Sequence, residues 1–240
     1  MNYFLLCAYN EEKNIGDVIS SIRETFYTEN YTIVIVNDGS TDATQEVVCK
    51  LREEKEDIIL LNHKKNLGLG CALRTGFDFL FSKVSNEDII ITLDADNTHP
   101  LEISNFIVSN LKQKADIVIA SRYQKNSVQQ GVPFFRKILS FLGRVTLTIF
   151  FPYHGVSDYT SGYRWYRGEL IKKAKNFYGE NFITEQSFVV QVEILYKLFY
   201  FKPKIIEVPL ILQYNKKYGK SKLKIVKNII KYLQFILRYI

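Results

Sequence analysis

Two periodicities alternate along the first half of this chain, and few folds accommodate that pattern. Short β-branched runs, Tyr3–Ala8, Thr32–Val36, Ile58–Asn62, Asp88–Leu93 and Asp116–Ala120, are continuously apolar rather than alternating. Strands covered on both faces have that composition. Between them lie stretches of helical spacing: Asn14–Tyr27, Asp42–Glu54, Gly70–Ser82 and Leu101–Gln113. Asp42 after Ser40-Thr41, and Pro100 at the first turn of its helix, are start signals. Strand and helix in regular succession predict an α/β fold, a mostly parallel, doubly wound sheet flanked by helices. Ligands of such sheets sit beyond the carboxyl ends of the strands. Tyr9–Glu11, Asn37–Ser40 and Asp94–Thr98 therefore fall on one edge.

The second half reads differently. Val132–Phe151 is a long apolar helix carrying Arg136, Lys137 and Arg144, and it lines either the core or a lipid entrance. A loop from Asp158 to Arg164 follows, then a helix near Glu185–Phe199, a strand near Ile205–Leu212 and a last helix over Ser221–Ile240. There is no repeat or flexible linker, so residues 1–220 read as one domain and 221–240 as an appended helix.

Several classes are excluded. Apolar runs break before the roughly 18 residues of a membrane span. Met1–Cys7 is apolar but has no basic leader before Asn10-Glu11-Glu12, which argues against a signal peptide. Three scattered cysteines and three scattered histidines match neither a disulfide framework nor a zinc site. A cytoplasmic location is expected. The net charge of +7 is uneven: from Lys197 to Ile240 there are eleven basic residues and one acid, Glu207. An anionic partner at that end is expected. The tail contains no nucleic-acid-binding module, so no nucleic acid is expected.

Asp94-Ala95-Asp96 ends a buried strand. Paired carboxylates there require a positive partner, and Mg²⁺ is commonly held by one or two carboxylates plus substrate phosphates. A helix-capping aspartate with a solvated neighbour reads equally well. Asn37-Asp38-Gly39-Ser40 at another strand end is either a nucleoside-binding turn or a plain strand-turn-helix connection. Tyr9-Asn10-Glu11-Glu12 offers a stacking ring and an acid, or merely the acidic start of a helix. Neither the dinucleotide fingerprint nor a Walker loop is present, so a bound diphosphate would depend on a metal and basic side chains.

The three motifs, in this order and each at a strand end, resemble the GT-A glycosyltransferases of family 2. Downstream, Ala120-Ser121-Arg122-Tyr123, Arg136 with Ser140, Asp158 with Ser161-Gly162-Tyr163-Arg164, Glu193, Glu207-Val208-Pro209 and Gly219-Lys220-Ser221-Lys222 resemble the dolichol-phosphate mannosyltransferase branch. The resemblance runs from Leu5 to about Ile225. It implies inverting transfer of a sugar from a nucleoside-diphosphate sugar, GDP-mannose or a UDP-sugar, to a polyprenyl phosphate, with Mg²⁺ or Mn²⁺.

By position, the implied nucleotide-sugar pocket falls on Cys7, Tyr9, Glu11, Val36, Asp38, Asp94, Ala95 and Asp96, with Arg122, Lys216 and Lys222 on the diphosphate. The metal falls on Asp94 and Asp96, and the acceptor phosphate on Arg122, Arg136 and Ser140. Asp96, Arg122 and Arg136 carry the catalytic roles. Four residues apart, Arg136 and Ser140 share a helix face. Cys7 stands where the family usually has proline, Asn37 where it has aspartate, Thr98 where it has a metal-associated glutamine, and Lys216 where it has arginine. The third metal ligand is thus unassigned.

The last helix carries an apolar stripe, Leu223, Val226, Ile230, Leu233, Leu237 and Ile240, and a basic one, Lys224, Lys227, Lys231 and Arg238. Such a helix reads as peripheral docking to the cytoplasmic face of an anionic membrane, or as a helix packed on the body, on a second copy or on a membrane-anchored partner. Two other functions fit less of the sequence. One is family 2 transfer to a hydroxyl acceptor in surface-polysaccharide or glycan assembly, with Asp158 or Glu185 as base. The other is a non-catalytic subunit.

Overall fold

The computed structural model describes residues 1–104, 107–108, 115–216, 218 and 225–239; for 225 and 226 only the backbone is described. A seven-stranded sheet carries the molecule. Its strands are β1 (Asn2–Ala8), β2 (Tyr31–Asn37), β3 (Ile58–Asn62), β4 (Ile89–Asp94), β5 (Ile117–Ser121), β7 (Arg164–Arg167) and β8 (Ile205–Pro209), in the order β3-β2-β1-β4-β7-β5-β8. All neighbours pair parallel except β7, which runs antiparallel to both β4 and β5.

The continuous apolar runs have a simple cause. Successive side chains of a strand point to opposite faces, and both faces here are covered. On β1, Phe4, Leu6 and Ala8 join the core against α1 (Ile15–Thr25) and α2 (Thr44–Glu54), while Tyr3 and Leu5 join the core against α3 (Leu69–Phe81). The second core also takes in α5 (Gly168–Tyr178), α6 (Val190–Phe199) and the buried face of α7 (Ile225–Tyr239).

The first three predicted helices form within a few residues of expectation. Most of the predicted Leu101–Gln113 helix lies outside the described residues. The segment read as a loop, Asp158–Arg164, instead leads into a central strand. β7 is four residues long and begins and ends with arginine, which hid it. Its alternation is real: Trp165 joins one core and Tyr166 the other. Arg164, fully buried, donates to the carbonyls of Gln191 and Tyr159, both at 2.7 Å. α5 was also missed. The predicted strand over Ile205–Leu212 divides at Leu210; β8 stays in the sheet and β9 (Ile211–Gln213) pairs with β6 (Val128–Gln130).

α4 (Phe134–Phe150) is no core helix. Only Leu147 of its 17 residues is buried. Phe134, Phe135, Ile138, Phe141, Leu142 and Ile149 stay exposed. On α7, Phe235 and Ile236 are buried beside Phe151 and Tyr196, and Tyr232 and Tyr239 pack with them. Its expected stripe points the other way: Ile230, Leu233 and Leu237 are exposed. The helix therefore both packs on the body and presents a free apolar face. Among the described residues no helix is long and apolar enough to cross a membrane.

Candidate active site

A cleft of about 1030 Å³ opens at the carboxyl ends of β1, β2 and β4 and runs beneath α4 to α7. Each of those strands is followed by a residue in the left-handed region, Asn10 (φ 54°), Gly39 (66°) and Asn97 (60°). Asparagine and glycine tolerate that conformation best. At Gly39 a Cβ would lie 2.2 Å from the Lys65 backbone, so no other residue fits. The Asn10 N–H donates to Ser40 Oγ at 2.9 Å and the Thr41 N–H to Asn10 Oδ1 at 2.8 Å, which locks the first two loops together. Asn37 accepts from the Ser40 N–H through Oδ1 and donates to Asn62 Oδ1 through Nδ2, at 3.1 and 2.9 Å. An aspartate could accept there but could not donate.

The cleft wall contains Cys7, Tyr9, Glu11, Asp38, Asp94, Ala95, Asp96, Arg122, Arg136 and Ser140, so most of the expected residues do converge. Val36 does not; it is fully buried in the apolar core, one strand over from Cys7. Lys216 is exposed and stands outside the wall. Lys222 lies outside the described residues.

On the nucleotide side, Glu11 is buried and accepts from Asn14 Nδ2 at 2.7 Å. Asp38 has a heavier structural duty than expected. It meets His63 Nδ1 at 2.7 Å and accepts the Leu67 and Gly68 N–H groups at 2.9 Å each, fixing the loop before α3. The Cys7 thiol is pushed up by burial, and further by the Asp38 and Asp94 carboxylates, so it stays a neutral small hydrophobe.

At the end of β4, Asp94 is half exposed, whereas Asp96 is largely buried and its Oδ1 accepts from Thr98 Oγ1 at 2.7 Å. Thr98 thus buttresses Asp96. His99, in the sequence merely one of three scattered histidines, accepts the Asp94 N–H on Nδ1 at 3.3 Å and stacks on Tyr163 with centroids 4.8 Å apart. Among the described residues no three His, Cys, Asp or Glu side chains gather as a complete metal cage. Two carboxylates at a cleft wall fit a hard divalent cation that takes its remaining ligands from substrate phosphates and water.

Cations dominate the acceptor side. Arg122 makes a two-point pair with Asp158, Nε to Oδ2 at 2.8 Å and Nη2 to Oδ1 at 2.6 Å, and Nη2 also reaches Thr160 Oγ1. None of these bonds uses Nη1. Burial alone would raise the Asp158 carboxyl; the Arg122 guanidinium reverses this and holds it below the ordinary carboxylate range. Burial opposes the Arg122 charge, and Asp158 more than restores it. A fully buried, salt-bridged carboxylate below its ordinary range is a poor general base. Glu185 is no better placed: it pairs with Arg238 at 2.9 Å and is not in the cleft wall.

Arg136 donates from Nη1 to Tyr214 Oη at 2.9 Å, and Ser140 Oγ meets Tyr123 Oη at 2.7 Å. Arg144 lies over the Tyr123 ring, 4.6 Å from its centroid. The sequence names Tyr123 within its motif and Arg144 on its helix without giving either a role, and it does not single out Tyr214. The position of Arg144, eight residues after Arg136 on one helix, was the available signal.

The model of the family described as glycosyl transferase family 2 matches residues 3–174. The chain belongs to that family. This family 2 chain is 31% identical over 238 residues to the dolichol-phosphate mannosyltransferase of Pyrococcus furiosus, covering 98% of this chain and 62% of that relative. It is 25% identical over 207 residues to the polyprenol monophosphomannose synthase of Mycolicibacterium smegmatis, covering 86% of this chain and 75% of that one. It thus spans less than two thirds of the first of these relatives, 62% of its length. Among solved structures, glucosyl-3-phosphoglycerate synthase from Mycobacterium tuberculosis with Mn²⁺ and uridine-diphosphate-glucose superposes with a TM-score of 0.69 at 19% identity, over 98% of this chain and 78% of that one. At that identity the likeness establishes the fold, the GT-A arrangement of the family 2 resemblance.

Proposed function

We propose that this chain transfers a sugar, with inversion, from a nucleoside-diphosphate sugar to a polyprenyl phosphate at an anionic membrane surface. One observation carries the reading. A single cleft joins the Asp94/Asp96 carboxylates to the Arg122, Arg136 and Ser140 cluster, then continues between α4 and α7, which leave apolar faces exposed. That sequence of surfaces matches a nucleoside diphosphate, a phosphate and a lipid chain. The names of the relatives in Pyrococcus furiosus and Mycolicibacterium smegmatis point the same way.

Tyr9 and Glu11 border the space for the nucleoside. Asp94 and Asp96 would hold Mg²⁺ or Mn²⁺, which would supply neutralisation of the diphosphate leaving group. Arg136, with Ser140 on the same helix face, would hold the acceptor phosphate. Arg122, fixed by Asp158, is a rigid positive wall behind it. A phosphate monoester has its second pKa near about 6, so the nucleophile is already anionic at neutral pH. That reading needs no general base, consistent with Asp158 being locked to Arg122. Positioning and electrostatics supply the rate.

Docking follows from the same faces. Phe134, Phe135 and Ile138 of α4 and Leu233 and Leu237 of α7 are exposed, with Lys227 exposed and Lys231 half-buried on α7. An anionic bilayer at the cytoplasmic face would meet both surfaces. The deciding experiment assays GDP-mannose and UDP-sugars with polyprenyl phosphate and Mg²⁺ or Mn²⁺. Transfer to the lipid phosphate is expected. Free sugars or glycans outcompeting it would favour the hydroxyl-acceptor reading.

A further inference from the structure

The least expected residue of α4 is Gly143. It sits ten residues into a 17-residue helix, where glycine is unfavourable relative to alanine. Neither packing nor backbone conformation calls for it. Its φ is not in the left-handed region, and a Cβ built there meets nothing within 4 Å. Gly70, Gly76 and Gly168 differ: a Cβ on each would come within 1.9, 2.3 and 2.2 Å of a neighbouring atom. The bare protein therefore gives no reason for a glycine at 143, and the space above it is empty.

That space belongs to the cleft. Gly143 is in its wall, between Ser140 and Leu147 on α4, and Ile229, Tyr232 and Leu233 of α7 line the same cavity. Gly143 follows Ser140 by three positions, about 4.5 Å along the axis and on nearly the same face. Beyond Gly143 the α4 and α7 lining offers Leu147, Ile229 and Leu233 as apolar surface, with Thr146, Asn228 and Tyr232 among them. A phosphate held by Arg136 and Ser140 would send whatever is esterified to it across Gly143 and into that slot.

We propose that Gly143 is the specificity-determining position that admits the prenyl chain of the acceptor. The inference rests on the acceptor reading given above. Its absent side chain lets the chain cross the backbone of α4 closely, and the α4–α7 slot beyond then rewards chain length by burying methylenes. The glycine's helical cost is retained because any larger residue would fill the crossing.

The test compares wild type with Gly143→Ala and Gly143→Leu, using prenyl phosphates of increasing chain length. Binding is measured without donor, and KM and kcat with it. Wild type should favour a long-chain prenyl phosphate over a one-unit prenyl phosphate by about tenfold or more, about 1.4 kcal/mol. In Gly143→Leu that ratio should collapse towards one, through KM, while nucleoside-diphosphate affinity holds. Gly143→Ala should fold at least as stably as wild type and show an intermediate ratio.

Wild-type length dependence persisting in Gly143→Leu would overturn the proposal. So would a folded Gly143→Leu that loses nucleotide and acceptor affinity alike, which would mark a structural role. Wild type that uses every prenyl phosphate equally would overturn the gate and leave the proposed function standing. Wild type that ignores prenyl phosphates and uses a hydroxyl acceptor would overturn both.

Discussion

Asp158 is fully buried, and the Arg122 side chain paired with it is 19% exposed at the cleft wall. Each makes the other's charge tolerable; breaking a fully buried pair costs ~3–5 kcal/mol, and less where, as at Arg122, the charge left behind reaches the cleft. Asp158→Ala should therefore lower the urea midpoint strongly; a near-wild-type midpoint would show that Arg122 finds another counter-charge. Asp96 presents a different case, because a side chain proposed to hold a metal at the cleft wall need not hold the fold together. Asp96→Ala should lose divalent-dependent transfer and Mn²⁺ affinity with an unchanged circular dichroism spectrum, and full activity in excess EDTA would refute the metal assignment. Arg136 contacts the body through the Tyr214 hydroxyl, at 2.9 Å. Arg136→Ala should weaken the acceptor by about 1.5–3 kcal/mol per charge-assisted bond lost. It should spare the nucleotide, and a variant that loses both equally would place Arg136 elsewhere in the reaction.

The two helices that line the cleft, α4 and α7, separate what periodicity reveals from what it conceals. The aliphatic stripe of α7 was legible because Ile230, Leu233 and Leu237 recur at helical spacing, and all three are exposed. The stripe that packs, Tyr232, Phe235, Ile236 and Tyr239, was not separated from it, because a helix apolar on two sides gives one broad signal. Charge was similarly ambiguous: Arg238 counts towards the basic tail, yet it is paired with Glu185. Binding to anionic liposomes should therefore depend on Lys224, Lys227 and Lys231. Changing all three to glutamate should abolish the salt-sensitive part, at ~1 kcal/mol or less per lysine, and cosedimentation reads it. Equal binding to neutral and anionic vesicles would refute the electrostatic contribution. The site was legible where its residues are strand-end polar groups, as at Asp94 and Asp96. It was illegible where partners come from distant segments, as with Tyr214 against Arg136 and Tyr163 against His99. Val36 was misplaced because a strand residue next to a site can point into the core.

At the scale of the molecule, buried carboxylates set the acid limit. Burial pushes Asp57 up, but hydrogen bonds from Arg23 bring it below its ordinary value of 3.8; Asp158 ends on the same side. A depressed folded pKa contributes stability that is fully present above the unfolded value and is lost as pH falls through the folded one. Denaturant midpoints should thus be flat at neutral pH and fall below about pH 4. Asp57→Asn should start from a lower plateau and fall less, and parallel curves would show that other groups set the limit. The antiparallel strand between β4 and β5 has another consequence, for the order in which the protein can be made. β1 to β4 are complete by residue 94, yet the strand that covers the β4 edge spans residues 164–167. At about 5–20 residues per second, roughly 4–15 s of synthesis separate the two. For that interval the nascent chain carries an open, apolar sheet edge of the kind that recruits other chains. A ribosome-associated chaperone, or slow codons placed after the strand rather than before it, would matter more to the yield of this protein than its final stability would suggest.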